Sequence, residues 1–122
     1  MEKIFLILGA LSACFGVAAG AFGAHVMKSR LSPEMLSVFE VGIRYQMYHA
    51  FALVTVAWVL SRWPSPMITT SGWLFVIGTI LFSGSLYLLS VSGVKWLGAI
   101  TPLGGLAFLA GWIFIAWGVW RA

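Results

Sequence analysis

The sequence predicts an all-α integral membrane protein, a four-helix bundle with an interfacial helical extension before the second span. Hydrophobic residues make up 61% of the 122 residues and charged residues only 8%, and the mean hydropathy is +1.03. A soluble domain carries roughly 25% charged residues. Seven basic and three acidic side chains cannot cover the surface of a soluble fold, so most of the surface must face lipid.

The few charged residues divide the chain into four uncharged stretches within one transmembrane domain, residues 1–122. Stretches of this kind are long enough to cross about 30 Å of hydrocarbon. An even number of crossings places both termini on one side, called side A, with the first and third connections on the opposite side B. The predicted spans are 4–26, 45–61, 68–92 and 97–120.

The second span has a helical extension in front of it. Ser32 is suited to cap a helix, Pro33 to its first position, and Glu34 to the positive end of its dipole. A helix from Pro33 to residue 60 is about 42 Å long, which exceeds the hydrocarbon thickness. The first turns must therefore stand in water or lie along the interface with a bend near Gly42, and residues 33–44 are predicted as an interfacial amphipathic segment.

The first span contains a sequence that also occurs in removable signals. Leu11-Ser12-Ala13-Cys14 matches a bacterial lipoprotein cleavage box behind a short apolar run. An apolar signal core should be followed by polar mature sequence, yet here the apolar run continues to Val26. We therefore expect the first segment to be retained as a helix.

Small residues recur in the first span at spacings of three and four. Such a stripe allows another helix to approach closely in lipid, where packing drives association. Packing inside the bundle is the favoured interpretation, and a homo-oligomer joined through this stripe is the alternative. The predicted helix-packing residues are Gly9, Ala13, Gly16, Gly20 and Gly23, with Ala107 and Gly111 as a second seam in the fourth span.

Most polar side chains of the predicted spans gather in the half of the bundle near side B. Ionisable residues at membrane depth are costly and usually face the bundle interior, so they are candidates for a functional site. The candidate ligand-binding residues are His25, Glu40, Arg44, Tyr45, Tyr48, His49, Ser83, Ser85, Tyr87 and Thr101.

Two pairs among these candidate residues allow more than one interpretation. Glu40 and Arg44 have the spacing of a local ion pair, or they form the charged lip of a pocket floored by Tyr48 and His49. His25 and His49 are predicted at similar depth, where they could hold a metal or haem or relay a proton. Hydrogen bonds to neighbouring polar groups are the favoured role, so no metal site and no cofactor are predicted.

Catalytic signatures are absent from the sequence. The serines near side B lack a base in a nucleophile-elbow context, and no phosphate-binding glycine loop or paired carboxylates occur. Thr101-Pro102 could break the fourth helix beside an ion site, but proline in a first turn is an ordinary helix start. No catalytic residue is predicted, and we lean toward a protein that is not an enzyme.

Four segments in order along the chain carry a family resemblance. They are Gly20-Ala-Phe-Gly-Ala-His25, Tyr45-Gln-Met-Tyr-His-Ala50, Phe82-Ser-Gly-Ser-Leu-Tyr87, and Ile100-Thr-Pro-Leu-Gly-Gly105 followed by Gly111-Trp112. The sequence resembles the small bacterial membrane proteins grouped as domain of unknown function 423, the YgdD/YwdK-like proteins. The resemblance implies a four-helix protein of the bacterial inner membrane, and it implies no activity.

Three functional classes remain open from the sequence. A polar cavity near side B could bind a small ligand, a lipid headgroup or an ion, which is the favoured hypothesis. The alternatives are an assembly subunit of a membrane complex and a histidine-dependent metal or haem redox protein. The net charge of +4 comes from scattered residues, so membrane lipid rather than nucleic acid is the expected partner. Four basic residues near side B against three near side A slightly favour a cytoplasmic side B.

Overall fold

The computed structural model describes all residues from Met1 to Ala122 and consists of four long helices without strands. Helix α1 covers Glu2–Phe22 and continues through a π-helical turn, Gly23–Met27, and a last α-helical turn, Lys28–Arg30. Helix α2 covers Pro33–Arg62, α3 covers Pro66–Ser92, and α4 covers Thr101–Trp120. The all-α prediction is confirmed.

The helix ends follow the local signals in the sequence. The Ser32 hydroxyl accepts a hydrogen bond from the Met35 backbone N–H at 3.2 Å, and Ser65 caps α3 in the same way. Gly93 ends α3 with φ of 70°, a left-handed conformation that glycine adopts without strain. A 3₁₀ turn, Lys95–Ala99, precedes α4, so the α-helix begins at Thr101 rather than near residue 97. The proline at position 102 lies in a first turn and breaks no helix.

Consecutive helices pack antiparallel, whereas α1 and α4 make little or no contact with each other. The hydrophobic core lies where all four helices approach the same point. It contains Phe5 of α1, Val56 and Leu60 of α2, Phe75 of α3 and Phe108 of α4. Helix α2 contributes more buried residues than any other helix and is therefore the centre of the bundle.

Three helical segments are long and apolar enough to cross a membrane: Glu2–Arg30, Pro66–Ser92 and Lys95–Trp120. Helix α2 does not reach the same hydropathy, although it is 30 residues long and runs unbroken. The polar side chains of Gln46 and His49, which lower its hydropathy, are buried against the other helices. The crossing of α2 through the bilayer stays a prediction.

Glycines at every seventh position form the two outer seams of the bundle. Three glycines of α1 pack so closely against α2 that an added Cβ would collide with it: Gly9 contacts Ala50, Gly16 contacts Met47 and Gly23 contacts Phe39. In α4, Gly104, Gly111 and Gly118 receive Phe82, Phe75 and Ile68 of α3. A seven-residue repeat keeps one helix face against its partner over several turns.

The packing of these seams supports the interpretation that the glycine stripe packs inside the bundle. The three most tightly packed glycines of α1 are turned toward α2, so the stripe serves internal packing. A homo-oligomer through these three glycines would require α1 and α2 to separate, and an oligomer through the rest of the stripe stays a prediction. The predicted seam residues Ala13 and Ala107 are only half-buried, and Gly20 lies at the edge of a groove.

Candidate functional site

Gln46 links three helices in the middle of the bundle. Its side-chain N–H₂ donates to the Ser12 backbone carbonyl of α1 at 2.9 Å. Its carbonyl oxygen accepts a hydrogen bond from the Tyr87 hydroxyl of α3 at 2.5 Å. Because both ends of the amide are satisfied by protein atoms, a polar group at this depth is retained without water.

The predicted serines and threonine near side B are satisfied in the same manner. Ser83 donates to the Gly42 backbone carbonyl of α2 at 2.7 Å, across the α2–α3 interface. The Ser85 and Thr101 hydroxyls lie 2.5 Å apart and join α3 to α4. These bonds hold helices together in lipid, where an unpaired hydroxyl is costly.

His49 is buried between α2, α3 and α4, and both its ring nitrogens are engaged. Nδ1 lies 2.8 Å from the Tyr45 backbone carbonyl, and Nε2 lies 3.1 Å from the indole nitrogen of Trp112. An indole N–H only donates and a carbonyl only accepts, so the network assigns the proton to Nδ1 and leaves a neutral imidazole. The ring stacks on Phe108 with centroids 3.5 Å apart.

The structure does not bring His25 and His49 together. His25 is exposed on the π-helical turn of α1, and Gly23, two residues before it, lies against Phe39 of α2. His49 lies ten positions after Phe39 on α2, which places its backbone roughly 15 Å along the bundle from the level of Gly23 at 1.5 Å per residue. The predicted similar depth is wrong, and a joint metal, haem or proton-relay site at these two residues has no geometric basis. No group of three or more potential metal ligands occurs in the chain.

The buried and half-buried polar residues of α2, α3 and α4 near side B form a packed hydrogen-bond network; they are Gln46, Ser83, Ser85, Tyr87 and Thr101. Thr79 Oγ1 is the single buried side-chain polar atom without a hydrogen-bond partner. Gln46, Ser83, Ser85 and Tyr87 line none of the five main grooves of the bundle. The candidate binding sites are therefore two grooves on the outside of this network, and not a polar cavity inside it.

The first groove is apolar and opens laterally on the outer face of α2, α3 and α4; we call it the lateral groove. Its volume is about 560 Å³. Tyr45 lines it, and the Tyr45 hydroxyl makes no hydrogen bond within the protein. The residues that line the groove are Tyr45, His49, Phe82, Pro102, Gly105, Leu106, Phe108, Leu109 and Trp112.

The second groove lies between α1 and α2 beside the π-helical turn; we call it the charged groove. Its volume is about 330 Å³, and Glu40 and Arg44 line one wall. Gly20, Gly23 and Ala24 line the other wall, with Ile43 from α2.

Two expectations about these charged residues are wrong. Glu40 and Arg44 do not form an ion pair, since the only ion pair in the structure joins the N-terminus to Glu2. Their groove is not floored by Tyr48 and His49, because His49 faces α4. Tyr48 is 52% exposed and packs edge-on against Tyr45.

Comparison with known proteins places the chain in a family. The model of a protein family of unknown function, DUF423, matches residues 19–105. The chain belongs to the DUF423 family. The matched segment runs from the end of α1 to the first turns of α4 and includes the whole of the charged groove.

The relatives of this DUF423 chain are described as membrane proteins. The chain is 48% identical to the UPF0382 membrane protein YwdK of Bacillus subtilis over 114 residues, which is 93% of each protein. It is 46% identical to the UPF0382 membrane protein SH2409 of Staphylococcus haemolyticus, with 93% and 92% of the two chains covered. It is 43% identical to SSP2132 of Staphylococcus saprophyticus over 98% of both. No solved structure matches the chain. The DUF423 chain is therefore a membrane protein of an uncharacterised bacterial family.

Sequence reasoning did not identify the aromatic partners of His49. Trp112 and Phe108 fix both the tautomer and the plane of the imidazole. Their spacing of four places them on one face of α4, which was a usable signal. Nothing in the sequence indicated that this face would meet α2, since the two helices are separated by a whole span.

Proposed function

We propose that this DUF423 protein is a non-enzymatic binding protein for a small, mostly apolar molecule that enters the lateral groove from the bilayer. The observation that carries the proposal is an apolar groove lined by Tyr45, whose hydroxyl makes no hydrogen bond, whereas the neighbouring Gln46 and His49 are bonded within the protein. The ligand would be mainly hydrophobic and would carry one group that hydrogen-bonds to Tyr45.

The shape and lining of the lateral groove support this proposal. Small-molecule sites are typically about 300–1,000 Å³, mostly apolar, and carry few polar groups. Here the walls are aromatic, and His49 is held rigidly by Phe108 and Trp112. A preformed wall reduces the entropy lost on binding.

A consequence is that the ligand would reach the groove within the membrane and not from water. The proposal includes a bacterial inner-membrane protein whose four helices all cross the bilayer, with both termini on one side. The antiparallel packing of α2 between spanning helices supports four crossings, because a helix in the centre of a bundle needs little apolar surface of its own.

The proposal is tested by identifying the small molecules that co-purify with the protein. Gly105 lines the groove, and an added Cβ there has ordinary contact with Phe82 at 4.0 Å, so Gly105→Leu fills the groove without disturbing the seam. Organic extracts of purified wild type and Gly105→Leu are compared by mass spectrometry. We expect at least one apolar compound to be depleted roughly tenfold in the variant, as the loss of a well-packed site predicts.

Gly84→Leu is the matched control, since an added Cβ at Gly84 meets no atom within 4 Å and the residue lies outside the groove. Its extract should equal that of the wild type. Tyr45→Phe, which removes the free hydroxyl, should lower the amount of the same compound. Identical extracts from wild type and Gly105→Leu would reject the proposal.

A further inference from the structure

The charged groove between α1 and α2 has the features of a headgroup site that is independent of the lateral groove. We infer that it binds a phospholipid whose headgroup carries both a phosphate and a primary ammonium, as in phosphatidylethanolamine. Arg44 would hold the phosphate and Glu40 the ammonium.

The two charges are available for such a ligand. Glu40 and Arg44 are four residues apart in the order that favours an ion pair, yet neither side chain makes an ion pair or hydrogen bond. Both line the same groove, so an acceptor and a donor of opposite charge are presented side by side. A zwitterion of matching polarity satisfies both, whereas an anion alone satisfies only the guanidinium.

The depth of the groove matches the headgroup layer. Gly23 lies in the π-helical turn five residues before Lys28, which corresponds to about 7 Å at 1.5 Å per residue. The headgroup layer is also about 5–8 Å thick on each side of the hydrocarbon core. Lys28 and Arg30 then lie in water, and the groove lies at the level of the phosphates.

The surface one to two turns deeper is suited to acyl chains. On α2, Phe51 shares a face with Arg44 and is 62% exposed. On α1, Val17 shares a face with Gly20 and Ala24 and is 65% exposed. An apolar surface therefore continues from the charged groove toward the bilayer centre. This continuity favours a lipid over a soluble zwitterion.

The small residues of α1 make room for the headgroup. An added Cβ at Gly20 would have only one neighbour, Ile43 at 4.0 Å, so this glycine is not required for helix contact. It lines the groove instead. Gly20→Leu is expected to fill the groove while the seam formed by Gly9, Gly16 and Gly23 stays intact.

The inference is tested by lipid competition on the purified full-length protein in detergent. Phosphatidylethanolamine and phosphatidylglycerol with identical acyl chains are added in equal amounts, and bound lipid is counted by native mass spectrometry. The wild type should retain phosphatidylethanolamine about tenfold better, since one charge-assisted contact distinguishes the two headgroups. Glu40→Gln should abolish this preference while phosphatidylglycerol binding persists. Arg44→Gln and Gly20→Leu should lose both lipids.

Glu34→Gln and Arg62→Gln are matched controls on the same helix, since both residues are exposed and lie outside the groove. They should retain the wild-type preference. Equal binding of the two lipids by the wild type would overturn the inference, as would an unchanged preference in Glu40→Gln. Binding that is unchanged in Gly20→Leu would place the lipid elsewhere. Gly105→Leu, which fills the lateral groove, should not change the lipid preference. A failure of the headgroup site is therefore distinguishable from a failure of the proposed lateral-groove ligand.

Discussion

At the scale of single residues, His49 shows how an imidazole is accommodated inside a membrane protein. The neutral tautomer uses both nitrogens, one as donor to the Tyr45 carbonyl and one as acceptor from Trp112. No lone pair remains for a metal ion, and Phe108 covers one face of the ring. His49 is therefore a structural element of the lateral groove, and binding there would involve Tyr45 first.

Removing the indole donor should destabilise the bundle. Trp112→Phe keeps an aromatic ring beside Phe75 but leaves Nε2 of His49 as an unpaired acceptor in an apolar surrounding. We expect a loss of about 1–2 kcal/mol in the free energy of unfolding. The measurement is a denaturant titration in mild detergent, followed by circular dichroism.

The control for this prediction is Trp120→Phe. Trp120 is 82% exposed and makes no hydrogen bond, so its replacement should change the unfolding free energy very little. If both variants were equally stable, the contact between Trp112 and His49 would carry no net stabilisation.

At the scale of helices, two glycine seams set the spacing of the outer pairs. In each seam a small residue on one helix accepts a large residue of its neighbour, such as Phe82 at Gly104 and Phe39 at Gly23. Close approach increases dispersion contacts, which replace the hydrophobic effect as the driving force in lipid. The central pair, α2 and α3, uses hydrogen bonds from Ser83 and Tyr87 in addition.

Adjacent glycines of α4 should respond differently to the same substitution. An added Cβ at Gly104 would collide with the backbone nitrogen of Phe82, and a helix backbone yields less readily than a side chain. At Gly105 it would meet only Phe82 Cδ2 at 4.0 Å. We expect Gly104→Ala to lower the free energy of unfolding by about 1–3 kcal/mol.

Gly105→Ala is the internal comparison for this substitution. It should be neutral or stabilising by up to about 1 kcal/mol, because alanine favours a helix more than glycine. Thermal unfolding of both variants in detergent measures the difference. Equal effects at the two positions would show that α4 does not pack through Gly104.

At the scale of the whole molecule, the sequence was sufficient for the fold but not for the site. Composition and charge spacing predicted the number of helices. Their ends were also predictable, because helix ends depend on local signals such as Ser32 and Gly93. The grooves depend on which faces meet across the bundle. The pairing of Trp112 with His49 spans 63 positions, and such a contact has no local signal.

The depth of His25 illustrates the same limit. The sequence places it near the end of the first span, which is correct, but the antiparallel register assigns residues near Phe39, not His49, to that level. Register follows from the fit of Gly9, Gly16 and Gly23 to particular side chains of α2. A shift of one turn in either helix would change which polar groups meet, so the candidate site could not be fixed without the packing.

The packing of α2 leads to a prediction about how the whole chain lies in the membrane. This helix has a lower hydropathy than the other three, yet its buried polar side chains, Gln46 and His49, are bonded internally. Its ends lie beside the ends of the neighbouring helices. We therefore expect it to cross the bilayer.

Single cysteines at Arg30, Pro64 and Val94 report on the three connections, since all three residues are exposed and Cys14 can be replaced by alanine. A membrane-impermeant maleimide applied to intact cells should label positions 30 and 94 alike and position 64 oppositely. Equal labelling at positions 30 and 64 would mean that α2 does not cross the bilayer. The lateral groove would then not open into the hydrocarbon, and the charged groove would not lie at the headgroup level, as the two proposals require.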